Sequence, residues 1–441
     1  MSLPTSQPRY RSRILAAAGR RAGQGSFGDL GPGELALGEW AARGLELPDL
    51  AALRRDRLAR LRRQLVARDL AGIVIADPIN LRYATDSANM QVWCLHNPVR
   101  YAFVATAGPV VLFDFHGCAH LSAHLALVDE VRPARAWYFF NSGPRVAEHA
   151  RAWAAELADL VRAHGGGNRR LAIDKADRDG ARALEAEGLA LVGGQEVMEL
   201  TRARKSVDEI KAMRCALATC EAAMAAMAAM QQHLRPGITE QALWAQLHAG
   251  NIARGGEWIE TRLLSSGPRT NPWFQECSSR EIEAGELVGF DTDLIGPYGY
   301  CADISRTWLC GDGRASPAQV DLYRLAQEQI AHNLALIRPG LGFRELSEKA
   351  FRLPERFRAN RYSVIAHGVG LCDEYPAIYY PEDVARTGYD GALEEHMTLC
   401  LESYVGAPGG AEGVKLEEQV LVTATGAEVL SAYPFQHDTF G

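Results

Sequence analysis

The 441-residue chain has no Cys-x-x-Cys pair; its nine cysteines stand singly, an odd number without a disulfide framework, which excludes a small stapled scaffold and points to reduced thiols. It has no run of about eighteen apolar residues, so no segment reads as a membrane-spanning helix. It has no basic excess: 47 Lys and Arg against 54 Asp and Glu leave a net charge of −7, which argues against a nucleic-acid partner. Lysine is scarce, found only at 175, 205, 211, 349 and 415. What remains is ordinary globular composition, 47% hydrophobic and 23% charged, on a chain long enough for two or three domains with a large core.

Before the first acidic residue, Asp29, lie Arg9, Arg11, Arg13, Arg20 and Arg21. Such a start fits either an organelle-targeting peptide or a loose arm, taken here as residues 1–45. The cytoplasm is the expected compartment. Residues 46–200 read as an α/β domain. Leu53, Leu58, Leu61 and Leu65 fall near helical spacing among arginines that read as a solvated face. Strand-like runs follow at Gly72–Ala76, Tyr101–Ala105 and Val110–Phe113, the last two joined as a hairpin. A helical stretch near 146–163 leads through Gly165-Gly166-Gly167 into Leu171-Ala172-Ile173-Asp174, and this alternation predicts an α/β sheet.

Residues 201–441 read as a second domain. Ser206-Val207-Asp208-Glu209 is a capping box, opening a helix expected to reach about Leu234. Arg235-Pro236-Gly237-Ile238 with Leu243 recurs as Arg338-Pro339-Gly340-Leu341 with Leu346, each copy following one helix and opening another. The repeat predicts one domain of two related halves, with a site between them.

Chemistry concentrates in this second domain. Asp291-Thr292-Asp293 ends an apolar strand, so its two acids share a face; after a turn at 296–299, the returning strand brings Asp303 opposite. Three converging carboxylates repel unless a cation neutralises them, although solvent-facing acids on a hairpin would look the same. Later segments decide the matter. His367 follows the apolar run Val364-Ile365-Ala366, Glu402 ends Met397–Leu401, and Glu417 interrupts Val414–Val422. An acid inside an apolar strand is costly to bury unless paired or coordinated. Five carboxylates and one imidazole form a hard, oxygen-rich site for a divalent or trivalent transition metal (Fe, Mn, Co, Ni or Zn), two ions sharing bridging carboxylates.

That order of donors, within Asp-Ile-Ser-Arg-Thr, His-Gly-Val-Gly and Leu-Glu-Glu-Gln-Val, resembles the pita-bread superfamily of methionine aminopeptidase, aminopeptidase P, prolidase and creatinase. The resemblance spans about 201–428, and residues 46–200 resemble the N-terminal domain of creatinase and prolidase. It implies an α+β protein: a C-terminal pita-bread, creatinase-like catalytic domain preceded by an α/β creatinase-type domain. It further implies a homodimer, with Asp291, Asp293, Asp303, His367, Glu402 and Glu417 holding metal. Acids at both 291 and 293 depart from the commoner single Asp and leave open which ion each serves.

Peptidases of this superfamily carry two further proton-handling histidines. Where the first is expected this chain has Trp273, and Leu371-Cys372-Asp373-Glu374-Tyr375-Pro376 has none where the second is expected. Amide hydrolysis needs an acid for the leaving amine. The strings Arg-Thr-Asn-Pro-Trp-Phe-Gln-Glu-Cys, His-Gly-Val-Gly-Leu-Cys-Asp-Glu-Tyr-Pro and Ala432-Tyr433-Pro434-Phe435 resemble the dimethylsulfoniopropionate lyases built on this fold. That branch implies β-elimination of a small sulfonium carboxylate to dimethyl sulfide and acrylate, with Asp373 as base. Tyr362, Trp93, Trp273 and Tyr375 are its candidate pocket aromatics, since aromatic faces suit a sulfonium. Two alternatives stand beside it: an Xaa-Pro aminopeptidase or dipeptidase using Asp373 or Glu374 as a substitute shuttle, and a non-enzymatic binding module. Two other patterns carry less. His116, His120 and His124 mimic a helical zinc face without a clear fourth ligand, and Cys301 and Cys372 have no partner base.

Overall fold

The computed structural model describes residues 31–229 and 234–440; the arginines at 9, 11, 13, 20 and 21 lie outside the described residues. Contacts divide the chain into two units, Asp49–Arg202 and Gly31–Pro48 with Ala203–Gly441. The first is built on six strands, β1 (Gly72–Ile75), β2 (Tyr101–Ala105), β3 (Val110–Asp114), β4 (Glu130–Pro133), β5 (Arg170–Ile173) and β6 (Ala190–Gly193), in the order β4-β3-β2-β1-β5-β6. β2 and β3 form the expected hairpin, from Tyr101 opposite Phe113 to Val104 opposite Val110. β1, β5 and β6 run parallel, and the helix Arg178–Ala186 links β5 to β6. The helix Val146–His164 turns Ala150, Trp153, Ala154, Leu157, Ala158 and Val161 into the core, a spacing of three and four.

The helix Leu50–Ala67 is capped by Asp49, which accepts the Ala51 and Ala52 amides at 2.9 and 3.1 Å, and it buries all four expected leucines. Its arginines are not all solvated. Arg57 is 1% exposed, lies 5.2 Å from the Tyr83 ring centroid and joins Arg54 and Arg82 around Asp86. Burial works against the Asp86 carboxylate, yet Arg82, Arg54 and Arg57 hold its pKa below the usual value.

In the second unit, the helix Glu34–Ala42 falls where a loose arm was expected. It is anchored because Glu39 pairs with Arg254 at 2.7 Å and buried Trp40 lies 6.0 Å from Tyr298. The repeat takes physical form as two helix–turn–helix copies. The helix Val207–Ala228 bears the expected reciprocal cap of Ser206 and Glu209, and Pro317–Leu336 bears the same device through Ser316 and Gln319. Each precedes an Arg-Pro-Gly turn and a second helix, Glu240–Ala253 or Phe343–Lys349.

Each pair is followed by strands that carry acids. The first set comprises β7 (Trp258–Ile259), β8 (Leu264–Ser266), β9 (Leu287–Asp291), β10 (Leu294–Ile295), β11 (Cys301–Ala302) and β12 (Ser305–Leu309), forming sheets β12-β9-β8 and β11-β10-β7. The second comprises β13 (Ala366–Val369), β14 (Asp373–Ile378), β15 (Thr398–Val405), β16 (Val414–Thr423) and β17 (Gly426–Val429), ordered β14-β13-β15-β16-β17. Leu399, Leu401, Val420 and Val422 bury one face of that sheet with Tyr323, Ala326 and Ile330 of Pro317–Leu336. The opposite face is left for the acids. Among the described residues, no helix is long and apolar enough to cross a membrane.

Candidate functional site

The six sequence-derived donors converge between β9, β12 and the five-stranded sheet. Asp291 closes β9 opposite Ser305 of β12, and Glu402 of β15 lies directly opposite Glu417 of β16. Like charges face to face across a ladder are destabilising, so this register requires a compensating cation. The expected shared face of Asp291 and Asp293 is reached differently from a continuous strand. β9 ends at Asp291, and Asp293 has a left-handed backbone (φ +35°) with its carboxylate held by Thr261 Oγ1 at 2.7 Å. Asp303 sits between β11 and β12, its amide donating to Gln419 Oε1 at 3.1 Å. All six side chains are buried, from 0% exposure at Glu402 and Glu417 to 8% at Asp293 and His367.

Donor atoms form two groups, each within 4.8 Å of mutual separation: Asp291, Asp293 and Asp303, and Asp303, His367 and Glu417 with Cys400, which the sequence did not offer; Glu402 enters neither group. Asp303 is common to both. His367 Nε2 also lies 3.3 Å from Glu402 Oε1, while Nδ1 lies 3.1 Å from the Gly368 carbonyl. A carbonyl only accepts, so Nδ1 carries a proton toward it and Nε2 is the nitrogen turned toward the acids, the orientation of a metal-ligating histidine. Glu417 Oε1 is buried with no hydrogen-bond partner. Hard oxygen donors, one oriented imidazole and an orphaned buried carboxylate oxygen fit a transition metal.

The electrostatics say the same. Burial drives the pKa values of Asp291 and Asp303 well above normal, reinforced by the neighbouring acids and opposed at Asp291 by Lys415. Asp293 is pushed up to about 6 by burial and by Asp373. Burial disfavours protonated His367, but Asp373, Glu402 and Glu417 outweigh it and raise that pKa. Glu417 alone is lowered, to about 2, because Lys415 and His367 overcome its burial. The cluster draws positive charge from any source.

Part of that charge is built in. Lys415, which the sequence reading singled out only as one of few lysines, is 0% exposed. Its Nζ lies 2.6 Å from Glu402 Oε2, 3.1 Å from Glu417 Oε2, 3.2 Å from Asp291 Oδ2 and 2.6 Å from Ser305 Oγ. Ser305 Oγ is also 2.7 Å from both Asp291 Oδ1 and Glu417 Oε2. One hydroxyl proton serves only one of those two oxygens, so the site leaves an acceptor for another cation or proton. The signal for Lys415 was its place two residues before Glu417, on the same strand face.

Asp373 begins β14, half exposed, with Oδ1 3.6 Å from His367 Nδ1, and belongs to neither donor group. Burial and Glu417 raise its pKa, with His367 and Lys415 opposing. Relative to β13, β14 carries two extra residues, Tyr375 and Pro376, in a bulge. This explains the glycines of His-Gly-Val-Gly: a Cβ on Gly368 would meet the Tyr375 carbonyl oxygen at 2.3 Å, and one on Gly370 would meet Glu374 Oε1 at 2.5 Å. Glu374 is buried in an ion pair with Lys205 and so is poorly suited to shuttle protons.

The candidate aromatics separate. Tyr362 stands beside the cluster, with Lys415 Nζ 4.6 Å from its ring centroid, and burial together with the acids keeps its phenol protonated. Trp273 is 7% exposed, packed 6.0 Å from Tyr404 and against Gly289. Tyr375 stacks instead on Tyr389 at 5.6 Å, near Phe343. Trp93 belongs to the unit Asp49–Arg202, on the helix Gln91–His96, beside Phe115 and Phe140. Among the described residues, His116, His120 and His124 enter no group able to hold a metal.

Residues 211–424 match metallopeptidase family M24. The chain is 48% identical over 415 residues to the dimethylsulfoniopropionate lyase DddP of Roseovarius nubinhibens, covering 94% of this chain and 93% of that protein. It is 44% identical over 436 residues to DddP of Roseobacter denitrificans, covering 97% and 98%. Among solved structures, the Xaa-Pro dipeptidase of Bacillus anthracis shares the fold with a TM-score of 0.69 and 21% identity, over 87% of this chain and 99% of that one.

Proposed function

The chain belongs to the dimethylsulfoniopropionate lyases of family M24, and from that premise we propose how its residues divide the cleavage of dimethylsulfoniopropionate into dimethyl sulfide and acrylate. It is a carbon–sulfur lyase. The observation that carries this reading is the buried donor cluster with Trp273 5.9 Å from Lys415 Nζ, at the position where the resemblance leads one to expect a peptidase histidine. Asp291, Asp293, Asp303, His367, Glu402 and Glu417 would hold the metal. Two divalent or trivalent ions are supported by the two donor groups, which share Asp303. When bound, the metal supplies a Lewis acid for the substrate carboxylate and so acidifies the adjacent C–H.

Asp373 then takes the α-proton. The C–H pair becomes the new C=C bond while the Cβ–S bond breaks and its electrons leave with sulfur. Dimethyl sulfide departs neutral, so no residue need protonate it and the missing histidines cost nothing. The half-exposed side chain of Asp373 can return its proton to water.

The deciding experiment is a headspace assay for dimethyl sulfide beside an assay for proline release from Xaa-Pro dipeptides. Dimethyl sulfide and acrylate are expected in equal amounts, abolished by chelator and restored by metal. Proline release without dimethyl sulfide would sink the lyase reading.

The implied homodimer is supported by apolar exposure around Trp93. Phe139 and Phe140 are 72% and 74% exposed, with Met90, Val92 and Leu95 nearby in sequence to Trp93 and also exposed. A second copy covering this group would remove an unusual solvent-facing aromatic patch. Phe139→Asp with Phe140→Asp should halve the mass seen by light scattering; an unchanged mass places any dimer contact elsewhere. The cytoplasm is supported by nine free cysteines.

A further inference from the structure

A base that takes a proton from carbon must be aimed closely, yet little holds the Asp373 side chain itself. It is half exposed, and among the described residues no hydrogen bond fixes its carboxylate; His367 Nδ1, at 3.6 Å, is too far to do so. Its aim therefore comes from the backbone. Asp373 opens β14 directly after a tight reversal, in which the Gly370 amide donates to the Cys372 carbonyl at 2.9 Å. Two ladder pairs, Val369 with Asp373 and Gly368 with Glu374, hold this end of the strand before the bulge interrupts the register. A bulge uncouples the pairing on its two sides, so the ladder alone specifies this end weakly. A slip of one residue would turn Asp373 inward and Glu374 toward the site.

Glu374 supplies what the ladder lacks. Neighbouring side chains of a strand point to opposite faces, and here Asp373 is exposed where Glu374 is buried. The Glu374 side chain is 0% exposed and ion-paired with the Lys205 ammonium, itself in a side chain 2% exposed. Its carboxylate fits against Gly370, where a Cβ would meet Glu374 Oε1 at 2.5 Å. Lys205 is a fixed point. Its amide donates to the His396 carbonyl at 2.8 Å, its Nζ lies 3.4 Å from the Ala203 carbonyl, and the next residue, Ser206, caps the helix Val207–Ala228. A buried ion pair adds little net stability over apolar packing, but it penalises any arrangement that separates its partners, and so it sets register. Resting on the assignment of Asp373 as the base, we infer that Lys205 and Glu374 are its positioning residues: the buried pair locks the first two residues of β14 and keeps the Asp373 carboxylate on the face that meets the substrate.

The test asks whether the pair acts through Asp373 or only supports the fold. Lys205→Met, measured per metal-loaded folded chain, should lower kcat for dimethyl sulfide release about a hundredfold, the usual cost of misplacing a reacting group by about 1 Å. KM should stay within about twofold and metal content should match wild type, because neither lysine nor glutamate belongs to the donor groups. Glu374→Gln keeps the shape while removing the charge; it should lower kcat in the same way by about tenfold, and it answers the question alone if the methionine variant does not fold. In an Asp373→Asn background, either substitution should cost less than about a further twofold, since there is no base left to misplace. A folded variant with wild-type kcat overturns the inference, and so does an equal loss in both backgrounds, which would make the pair purely structural. Full activity in Asp373→Asn alone would instead sink the assignment of the base.

Discussion

Asp373→Asn is expected to slow dimethyl sulfide release about a thousandfold, within the usual contribution of a positioned general base, while leaving metal content unchanged. The amide keeps the size and hydrogen-bonding reach of the carboxylate but cannot take a proton at working pH. Metal should survive because Asp373 Oδ1 approaches His367 from its Nδ1 side, at 3.6 Å, and not from the Nε2 side that faces the acids. The same residue sets an acid limb. A base works only when deprotonated, and burial with Glu417 raises its pKa. Activity should therefore fall with decreasing pH through a midpoint above the ordinary carboxylate value, and the Asn variant should lose that limb. Stopped-flow or headspace rates across pH, beside elemental analysis of both proteins, read the outcome. Lost metal would make Asp373 a ligand; an unaffected rate would require a different base, and Glu374 is already committed to Lys205.

Lys415→Met should destabilise the metal-free protein by about 3 kcal/mol or more, because breaking a buried ion pair strands its partners. Here the stranded partners are Asp291, Glu402 and Glu417, all within 3.2 Å of the ammonium. For a unit of this size the loss corresponds to a melting temperature roughly 10 °C lower. Added divalent metal should recover part of it, since the ion supplies charge to the same acids, and metal-loaded activity should still fall because Glu402 and Asp291 lose their orienting partner. Lys415→Arg should recover most of the melting temperature but less of the activity, as a planar fork cannot reproduce a compact ammonium among three acids. Calorimetry on chelator-dialysed and metal-reconstituted protein checks this. A metal-free Met variant that melts with wild type would remove Lys415 from the charge balance.

Residue by residue, the donors were legible for one reason. Glu417 in an otherwise apolar strand, Glu402 at the end of another and His367 after Val364-Ile365-Ala366 are chemically out of place, and alternation along a strand fixes which face they share. Asp293 was legible as a donor but not as a left-handed residue, because backbone irregularity after a strand leaves no periodic trace. Cys400 was hidden: in a run of apolar residues a cysteine reads as packing, and only pairing with His367 on β13 and Gln419 on β16 brings its sulfur among the metal donors. Trp273 and Tyr375 were equally legible as aromatic and near the right motifs, but the Trp273 ring lies 5.9 Å from Lys415 Nζ whereas Tyr375 stacks on Tyr389. Local sequence cannot tell a wall from a filler.

The chain's own order of residues determined the chemistry: which side chains are too polar for their strands, where helices are capped, where a chain reversal falls, and that two helix–turn–helix copies exist. These depend on neighbours a few positions away, within reach of periodicity and capping rules. The tertiary structure decided everything that rests on meetings across long stretches of chain. Lys415 finds Ser305 and Asp291 from more than a hundred residues away, and Phe274 lies 5.2 Å from Tyr362 although the two are far apart in the chain. Such contacts are fixed by packing and by the balance of buried charge, and neither leaves a local signature.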